Sequence, residues 1–270
     1  MRHRCFYMAG VLVTSVLCSP LLQAEYPDVD LLVVRDGWGD VERATVQKVL
    51  ESTAGELWKY FPDRKLQPII VKPNGGPIVL FNRGPGDEYF VHLDTGETYW
   101  SQYAYQFGHE FCHILCNYDT DDTGNKWFEE SICEMASLFV LRRMGETWKT
   151  QPPFDHWKSF APNMTAYAEQ LIEKNSLDDS TTLAQWYGEH RHDLHGSSTK
   201  RELNNIIAVA LLPLFEESPQ HWESVTWLNH GQPNEPQRLV AYLADWRRHC
   251  PEKHHSFVDN VSAVFGITLD

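Results

Sequence analysis

The chain has 270 residues, and its 37 acidic side chains outnumber its 23 lysines and arginines, which gives a formal net charge of −14. This excess of negative charge argues against nucleic acid and anionic lipid as partners, because both present phosphate groups that an acidic surface repels. The length is sufficient for one or two domains with a substantial core.

Residues 1–24 have the features of a secretory signal peptide. Arg2 and Arg4 precede an apolar run over residues 8–22, and Ala24 is a small residue at a suitable cleavage position. The run contains serine and proline and is too short to span a bilayer. We therefore expect export to the periplasm or the medium, and a mature protein without a membrane span. Loss of the two arginines would change the net charge from −14 to −16.

The next part of the chain, residues 25–150, is predicted to be a mixed α/β domain. Short apolar runs bounded by Gly, Pro and Asn favour strands, and one segment has apolar residues at helical spacing. The strands are expected over residues 29–35, 67–72, 77–82 and 88–93, and the helix is expected over residues 39–61.

The following predicted helix, residues 101–117, contains the motif H-E-x-x-H. His109 and His113 are four residues apart and therefore lie on one helix face, where both imidazoles can bind one metal ion. Glu110 lies beside them and can take the proton of a metal-bound water. This arrangement is typical of zinc hydrolases, so the sequence predicts a Zn²⁺ site.

A second predicted helix, residues 126–144, carries acidic side chains after a polar, glycine-containing loop. Antiparallel packing of the two helices would bring Glu130 beside both histidines as a third ligand. Three protein ligands leave the fourth zinc position open, as catalysis requires. Glu134 lies one turn further on the same face and is placed to accept a hydrogen bond from a ligand histidine.

This combination of motifs resembles the gluzincin metallopeptidases, the clan of thermolysin and related aminopeptidases. The shared features are H-E-x-x-H, then W-x-x-E after a short loop, then an acid four residues later, and they cover about residues 88–143. The resemblance implies zinc ligands at His109, His113 and Glu130, a general base at Glu110 and an outer partner at Glu134.

The resemblance also implies a fold and a mode of substrate binding. The expected class is α+β, with a zincin-like metal domain of a small mixed sheet and two active-site helices, followed by an all-α C-terminal part. Substrate peptides would pair along the sheet edge formed by the strand before the metal helix, residues 88–93. The residue before the ligand Glu is often Asn in this clan and is Glu129 here. The alternative that Glu129, and not Glu130, is the third ligand therefore stays open.

The loop before Glu130 also resembles a calcium-binding loop of the EF-hand type. The pattern comprises Asp119, Asp121, Thr123 and Gly124, with Glu130 at the twelfth position. The eighth position is a lysine where an aliphatic residue is usual, and Glu130 cannot bind two metals. A solvated acidic loop is the simpler interpretation.

Four cysteines remain after the predicted signal peptide: Cys112, Cys116, Cys133 and Cys250. Export would permit a disulfide between the two metal-bearing helices, from Cys112 or Cys116 to Cys133. Burial of all four as free thiols is an equal alternative. Cys116 could also act as a fourth zinc ligand, which would close the site and make it structural.

Residues 151–270 are predicted to form a helical C-terminal domain that begins after Pro152 and Pro153. Helices are expected over residues 156–174, 181–193, 199–217, 220–228, 237–249 and 254–265. Peptide hydrolysis needs a donor for the developing oxyanion. Tyr187 and His195, within a polar run of tyrosine and histidines, are the candidates from this half.

The function expected from these features is an exported zinc metallopeptidase that acts on a peptide or protein substrate. Glu110 would take a proton from the zinc-activated water and pass it to the leaving amine. The alternative is a non-catalytic, zincin-like binding protein of the cell envelope, either metal-free or with a structural zinc.

Overall fold

The computed structural model describes residues 29–119, 124–231 and 237–269. The predicted signal peptide, residues 1–24, lies outside these ranges, as do Asp121 and Thr123 of the calcium-loop pattern. In the described ranges, no helix combines the length and the apolar character needed to cross a membrane.

A four-stranded sheet forms one side of the N-terminal half. Its strands are β1 (Leu31–Val33), β2 (Ile69–Pro73), β3 (Ile78–Val79) and β4 (Tyr89–Leu93). The spatial order is β1-β2-β4-β3; β1, β2 and β4 are parallel, and β3 is antiparallel to β4. Alternate residues such as Ile69 and Val71 point into the core. The prediction of an α+β protein with a small mixed sheet is confirmed.

The strand before the metal helix, β4, is an interior strand. Val91 is the partner of Val71 on β2 and of Val79 on β3, so both sides of β4 are paired. The prediction that residues 88–93 form a free sheet edge is therefore wrong. The chain reverses after β2 through Asn74 and Gly75, both with positive φ, and β3 then pairs with the outer side of β4. In the described chain the edge strands are β1 and β3, and β3 is the one beside β4.

Three helices of the N-terminal half pack beside this sheet: α1 (Arg43–Trp58), α2 (Trp100–Leu115) and α3 (Lys126–Thr147). Helices α2 and α3 are antiparallel, because Ser137 donates a hydrogen bond to the carbonyl of Tyr105 while Glu129 contacts His113. Gly108 lies at their closest approach; a Cβ there would come within 2.8 Å of a methyl group of Val140.

Beyond residue 150 the described residues form helices only. The α-helices are α4 (Ala161–Asn175), α5 (Leu183–Gly196), α6 (Arg201–Glu217), α7 (Leu239–His249) and α8 (His255–Val264). Short 3₁₀ helices cover Asp155–Phe160, Pro219–Trp227 and Glu252–His254.

Two of the predicted helices in this half differ from the observed ones. Residues 156–174 do not form one helix: a 3₁₀ segment precedes α4, whose first turn contains Pro162. Proline lacks the amide hydrogen and restricts the preceding residue, so it favours a new helix start. Residues 220–228 form a 3₁₀ helix that starts at Pro219 instead of an α-helix.

One continuous hydrophobic core joins the two halves of the described chain. Helix α3 lies at its centre and packs against α1, α2, α4 and α6. Across the predicted boundary, the ring of Trp148 stacks on Trp157 at 5.1 Å, and Phe139 contacts Trp222 at 5.2 Å. The division at residue 150 stays a prediction, but the buried side chains on its two sides form a shared interior.

Candidate metal centre

Three ligand atoms converge between α2 and α3. His109 Nε2 and His113 Nε2 are 3.2 Å apart, and Glu130 Oε2 lies 3.3 Å from the first and 3.6 Å from the second. In a tetrahedral zinc site with bonds of 2.0 to 2.1 Å, ligand atoms are about 3.3 Å apart. The three atoms therefore match the spacing of a tetrahedral zinc site with one open position.

The outer nitrogen of His113 is held by Glu129. Its Nδ1 donates to Glu129 Oε1 at 2.5 Å, and the other oxygen of this fully buried carboxylate accepts from Lys126 at 2.6 Å and from Asn229 at 2.7 Å. A proton fixed on Nδ1 leaves Nε2 free to bind a metal. Glu129 thus orients a ligand, and the metal-facing carboxylate is Glu130.

Glu134 lies behind the other histidine. Its Oε1 is 3.8 Å from His109 Nδ1, which is an ion-pair distance longer than a hydrogen bond. The same carboxylate accepts a hydrogen bond from the hydroxyl of Tyr105 and forms an ion pair with Arg201 Nε at 3.2 Å. It is therefore fixed on the outer side of His109, where the sequence predicts an outer partner.

The formal charges around the two histidines suit a divalent cation. Lys126 and Arg201 compensate the two outer carboxylates described above. Glu110 and Glu130 add two further formal negative charges to the same pocket. A doubly charged cation with two neutral imidazoles would balance them.

The pKa values of the buried side chains follow from the same excess of carboxylates. Burial lowers the pKa of His113, but Glu129 and Glu130 outweigh this effect and raise the pKa to about 9. Burial likewise opposes charge on His109, yet Glu134 and Glu130 hold its pKa well above the usual range. Without a metal, protons on the imidazoles supply the positive charge; a bound cation would replace them.

A pocket of about 290 Å³ opens directly onto these ligand atoms. Glu110 lines it and is almost fully buried. The edge strand β3 contributes one wall, with Ile78 and Val79, and the following Phe81 is 57% exposed. The start of α6 contributes another wall, with Thr199, Arg201 and Asn204. The pocket therefore combines the candidate metal ligands, a candidate base, an apolar wall and two cations, Lys126 and Arg201.

Tyr187 and His195 are not among the residues that line this pocket. The ring of Tyr187 packs against Trp127 at 5.7 Å and Phe265 at 5.4 Å, and the ring of His195 lies 6.1 Å from Trp127. These contacts pack both side chains against the ring of Trp127. An oxyanion donor must reach the reacting carbonyl, so the assignment of Tyr187 and His195 stays a prediction that these contacts do not strengthen.

The contacts of Glu129 with His113 and of Arg201 with Glu134 were not predicted from the sequence. The bond from Glu129 to His113 had a partial signal, since Lys126 and Glu129 have the i,i+3 spacing of a helical ion pair. Arg201 had none: it follows Glu134 by 67 positions in the sequence (201 − 134), and only tertiary packing brings the two together.

The two alternatives are a calcium loop before Glu130 and a zinc site closed by Cys116, and residues 120–123 of that loop lie outside the described residues. Glu130 faces the two histidines rather than the loop that contains Asp119. The thiol of Cys116 groups with those of Cys112 and Cys133, and these three residues are called the thiol cluster below. All four cysteines in the described part of the chain are free and buried, so the disulfide between α2 and α3 is not formed.

No family model matches the chain, and no curated protein is similar to it in sequence. The argument for a function therefore starts from the geometry of this site.

Proposed function

We propose that this protein is an exported zinc metallopeptidase whose site is of the gluzincin kind. The observation that carries the proposal is the convergence of His109 Nε2, His113 Nε2 and Glu130 Oε2 at zinc-ligand spacing, in a pocket that Glu110 also lines. Two histidines and one glutamate are a donor set that catalytic zinc uses in peptidases. Export is part of the proposal because residues 1–24 resemble a signal peptide.

Glu110 carries the proton in the proposed reaction. The chemistry supplied by bound zinc would be polarisation of a water molecule and of the scissile carbonyl. Glu110 precedes the ligand face by one helical step and lines the pocket, so its carboxylate accepts the water proton and returns it to the leaving amine. Its near-complete burial limits competition from bulk water.

Arg201 is the donor that we assign to the developing oxyanion, in place of Tyr187 and His195. Its Nε forms an ion pair with Glu134, which places the guanidinium near His109. The side chain is 61% exposed and lines the pocket, so it is within reach of a bound substrate. A fixed cation next to the zinc favours negative charge on the carbonyl oxygen.

The edge strand β3 is the proposed backbone-binding element. Its inner side pairs with β4, and it stands at the end of the strand order in the described chain. An extended peptide can add to such an edge by main-chain hydrogen bonds, which bind many sequences. Ile78 and Phe81 are exposed apolar side chains on this wall, so they favour an apolar substrate residue beside the metal.

Metal content and turnover test the proposal together. Purified protein should contain about one zinc per chain, and Glu130→Ala should lose it or bind it far more weakly. Glu110→Gln should retain zinc, while hydrolysis of a peptide library falls by about 10² to 10⁴-fold because the proton carrier is gone. Fold is checked by circular dichroism for each variant.

Two results would contradict the proposal. Wild-type protein without zinc after chelator-free purification would remove the metal site. Zinc bound at Glu130 with no turnover of any peptide would favour the alternative, a non-catalytic binding protein of the cell envelope.

A further inference from the structure

We propose that the thiol cluster of Cys112, Cys116 and Cys133 is a second metal site, which takes a soft, thiophilic d¹⁰ cation such as Cu⁺ or Cd²⁺. It would lie between the same two helices as the histidine and glutamate ligands and would be independent of them. The proposal does not rest on peptidase activity, because none of the three thiols belongs to the pocket that Glu110 lines.

The geometry of the cluster is that of a three-coordinate site. Cys112 and Cys116 are four residues apart on α2 and share a helix face, and Cys133 faces them from α3. The three Sγ atoms lie within 4.8 Å of one another. With metal–sulfur bonds of about 2.3 Å, three thiolates around one ion lie roughly 4 Å apart. The upper limit of 4.8 Å on the observed Sγ separations is close to that spacing.

The chemistry of the donors selects soft cations. Three thiolates and no oxygen ligand favour Cu⁺ and other polarisable cations over Mg²⁺ or Ca²⁺. The nearest alternative grouping is Cys133 with His113 and Glu129. His113 and Glu129 are already hydrogen-bonded to each other at 2.5 Å. Cys133 is therefore expected to bind a metal together with Cys112 and Cys116.

Burial and charge also favour a closed site. All three residues are fully buried, which suits a structural ion without an exchangeable water. Three thiolates around a monovalent or divalent cation leave negative charge. Arg64 lies next to the end of α2, donates to the carbonyl of Ile114 at 2.8 Å and interacts electrostatically with Cys112 and Cys116. Its guanidinium compensates part of that charge.

Binding requires no oxidant. Each thiol that coordinates loses its proton to solvent, and a sulfur lone pair forms the bond to the cation. No electron is transferred and no disulfide is formed.

The test titrates Cd²⁺ into the chelator-treated, reduced full chain. Cadmium bound to thiolates absorbs in the ultraviolet by charge transfer, whereas cadmium on histidine and glutamate does not. We expect saturable charge-transfer absorption at about one ion per chain. Cys133→Ala and Cys116→Ala should each lose most of it. Cys250→Ala is the matched control: its thiol is buried, contacts the carbonyl of Ser224 at 3.6 Å and should leave the signal unchanged.

A fourth variant separates this proposal from the proposed function. Glu130→Ala should lose zinc binding at the histidines while the thiolate signal persists. In the same background, Cd²⁺ should raise the midpoint of thermal unfolding, and Cys116→Ala should abolish that shift. This second measurement remains informative if Cys133→Ala does not fold.

Three results would overturn the proposal: no charge-transfer absorption, a signal that survives both cysteine substitutions, or a signal lost equally in Cys250→Ala. The first would mean that the three thiols are ordinary buried apolar side chains.

Discussion

At the residue scale, the site assigns different tasks to two adjacent glutamates. Glu130 faces the imidazole Nε2 atoms, whereas Glu129 is bonded to His113 Nδ1 from behind. The separation arises because neighbouring helix residues point about 100° apart. A shift of the ligand by one residue, which the sequence leaves open, is thus disfavoured by the packing of α3 on α2.

Glu129→Gln should weaken zinc binding by about 10- to 100-fold, because the outer partner of a ligand histidine loses its charge. Competition with a chromogenic chelator measures the affinity. Glu146→Gln is the matched control: Glu146 lies on the same helix, also bonds a lysine three residues away at 2.7 Å and is exposed. Equal affinity of both variants and wild type would remove the orienting role of Glu129.

Arg201→Gln should lower kcat/KM by roughly 10² to 10³-fold while zinc stays bound, because a charged donor to the oxyanion is lost. Steady-state kinetics on a peptide substrate, with metal content measured in parallel, tests this effect. Lys200→Gln is the control, since Lys200 is the neighbouring cation and bonds Asp193 at 2.7 Å on the surface. A change confined to KM would assign Arg201 to substrate binding alone.

At the element scale, the distance between α2 and α3 sets the spacing of the candidate ligands, because each helix supplies at least one of them. Gly108 directly precedes His109 and allows the close approach to Val140 and Ser137. Both contacts are buried, so the neighbours have little space to move. The absence of a side chain at this one position therefore couples helix packing to ligand spacing.

Gly108→Ala should destabilise the fold, because overpacking of about 1 to 3 kcal/mol outweighs a helix-propensity gain of about 1 kcal/mol. It should also weaken zinc binding. Gly188→Ala is the control: Gly188 lies inside α5 with no atom within 4 Å of an added Cβ. That variant should gain roughly 0.5 to 1 kcal/mol. Urea unfolding measures both, and a stabilised Gly108→Ala would contradict the close-packing argument.

At the scale of the whole molecule, the C-terminal half contributes to the site through its core as well as through Arg201. Asn229 donates to Glu129 and to the carbonyl of Cys116, and it accepts from Tyr242. These bonds connect the chain after the second 3₁₀ helix to the ends of both metal helices. Loss of packing in the C-terminal half should therefore change the positions of His109 and His113.

A histidine pair in this half, of which His254 is buried and His221 partly buried, makes stability depend on pH. His221 Nδ1 and His254 Nδ1 are 2.9 Å apart, and His254 Nε2 is 3.1 Å from Glu223. Burial, together with Lys253, lowers the pKa of His221; burial also lowers the pKa of His254, although Glu223 opposes this. Below about pH 6.5 the unfolded chain therefore binds more protons than the native pair does. The stability that is present above about pH 6.5 is lost as the pH falls below that value.

His254→Gln should reduce this loss, because the amide can replace both hydrogen bonds without titrating. The measurement is the difference in unfolding free energy between about pH 7.5 and pH 5.5, which spans the ordinary histidine pKa. His192→Gln, at an exposed histidine, should keep the wild-type difference. An unchanged difference in His254→Gln would exclude the pair as the source.

Local sequence patterns determined the main helices and strands of the N-terminal half and the grouping of the candidate metal ligands. Apolar periodicity predicted α1, and the H-E-x-x-H motif with the acids that follow it predicted α2, α3 and the meeting of His109, His113 and Glu130. Short apolar runs bounded by Gly, Pro and Asn predicted the strands of the small sheet.

Tertiary structure decided the strand order and the surroundings of Arg201, Tyr187 and His195, which no local sequence pattern encodes. The edge beside β4 belongs to β3 because strand order depends on how the chain returns to the sheet. Arg201 forms an ion pair with Glu134 beside the candidate ligands, whereas Tyr187 and His195 pack against Trp127. These outcomes depend on contacts between residues far apart in sequence. Their energies come from packing the whole core, whereas helix and strand preferences act over a few residues.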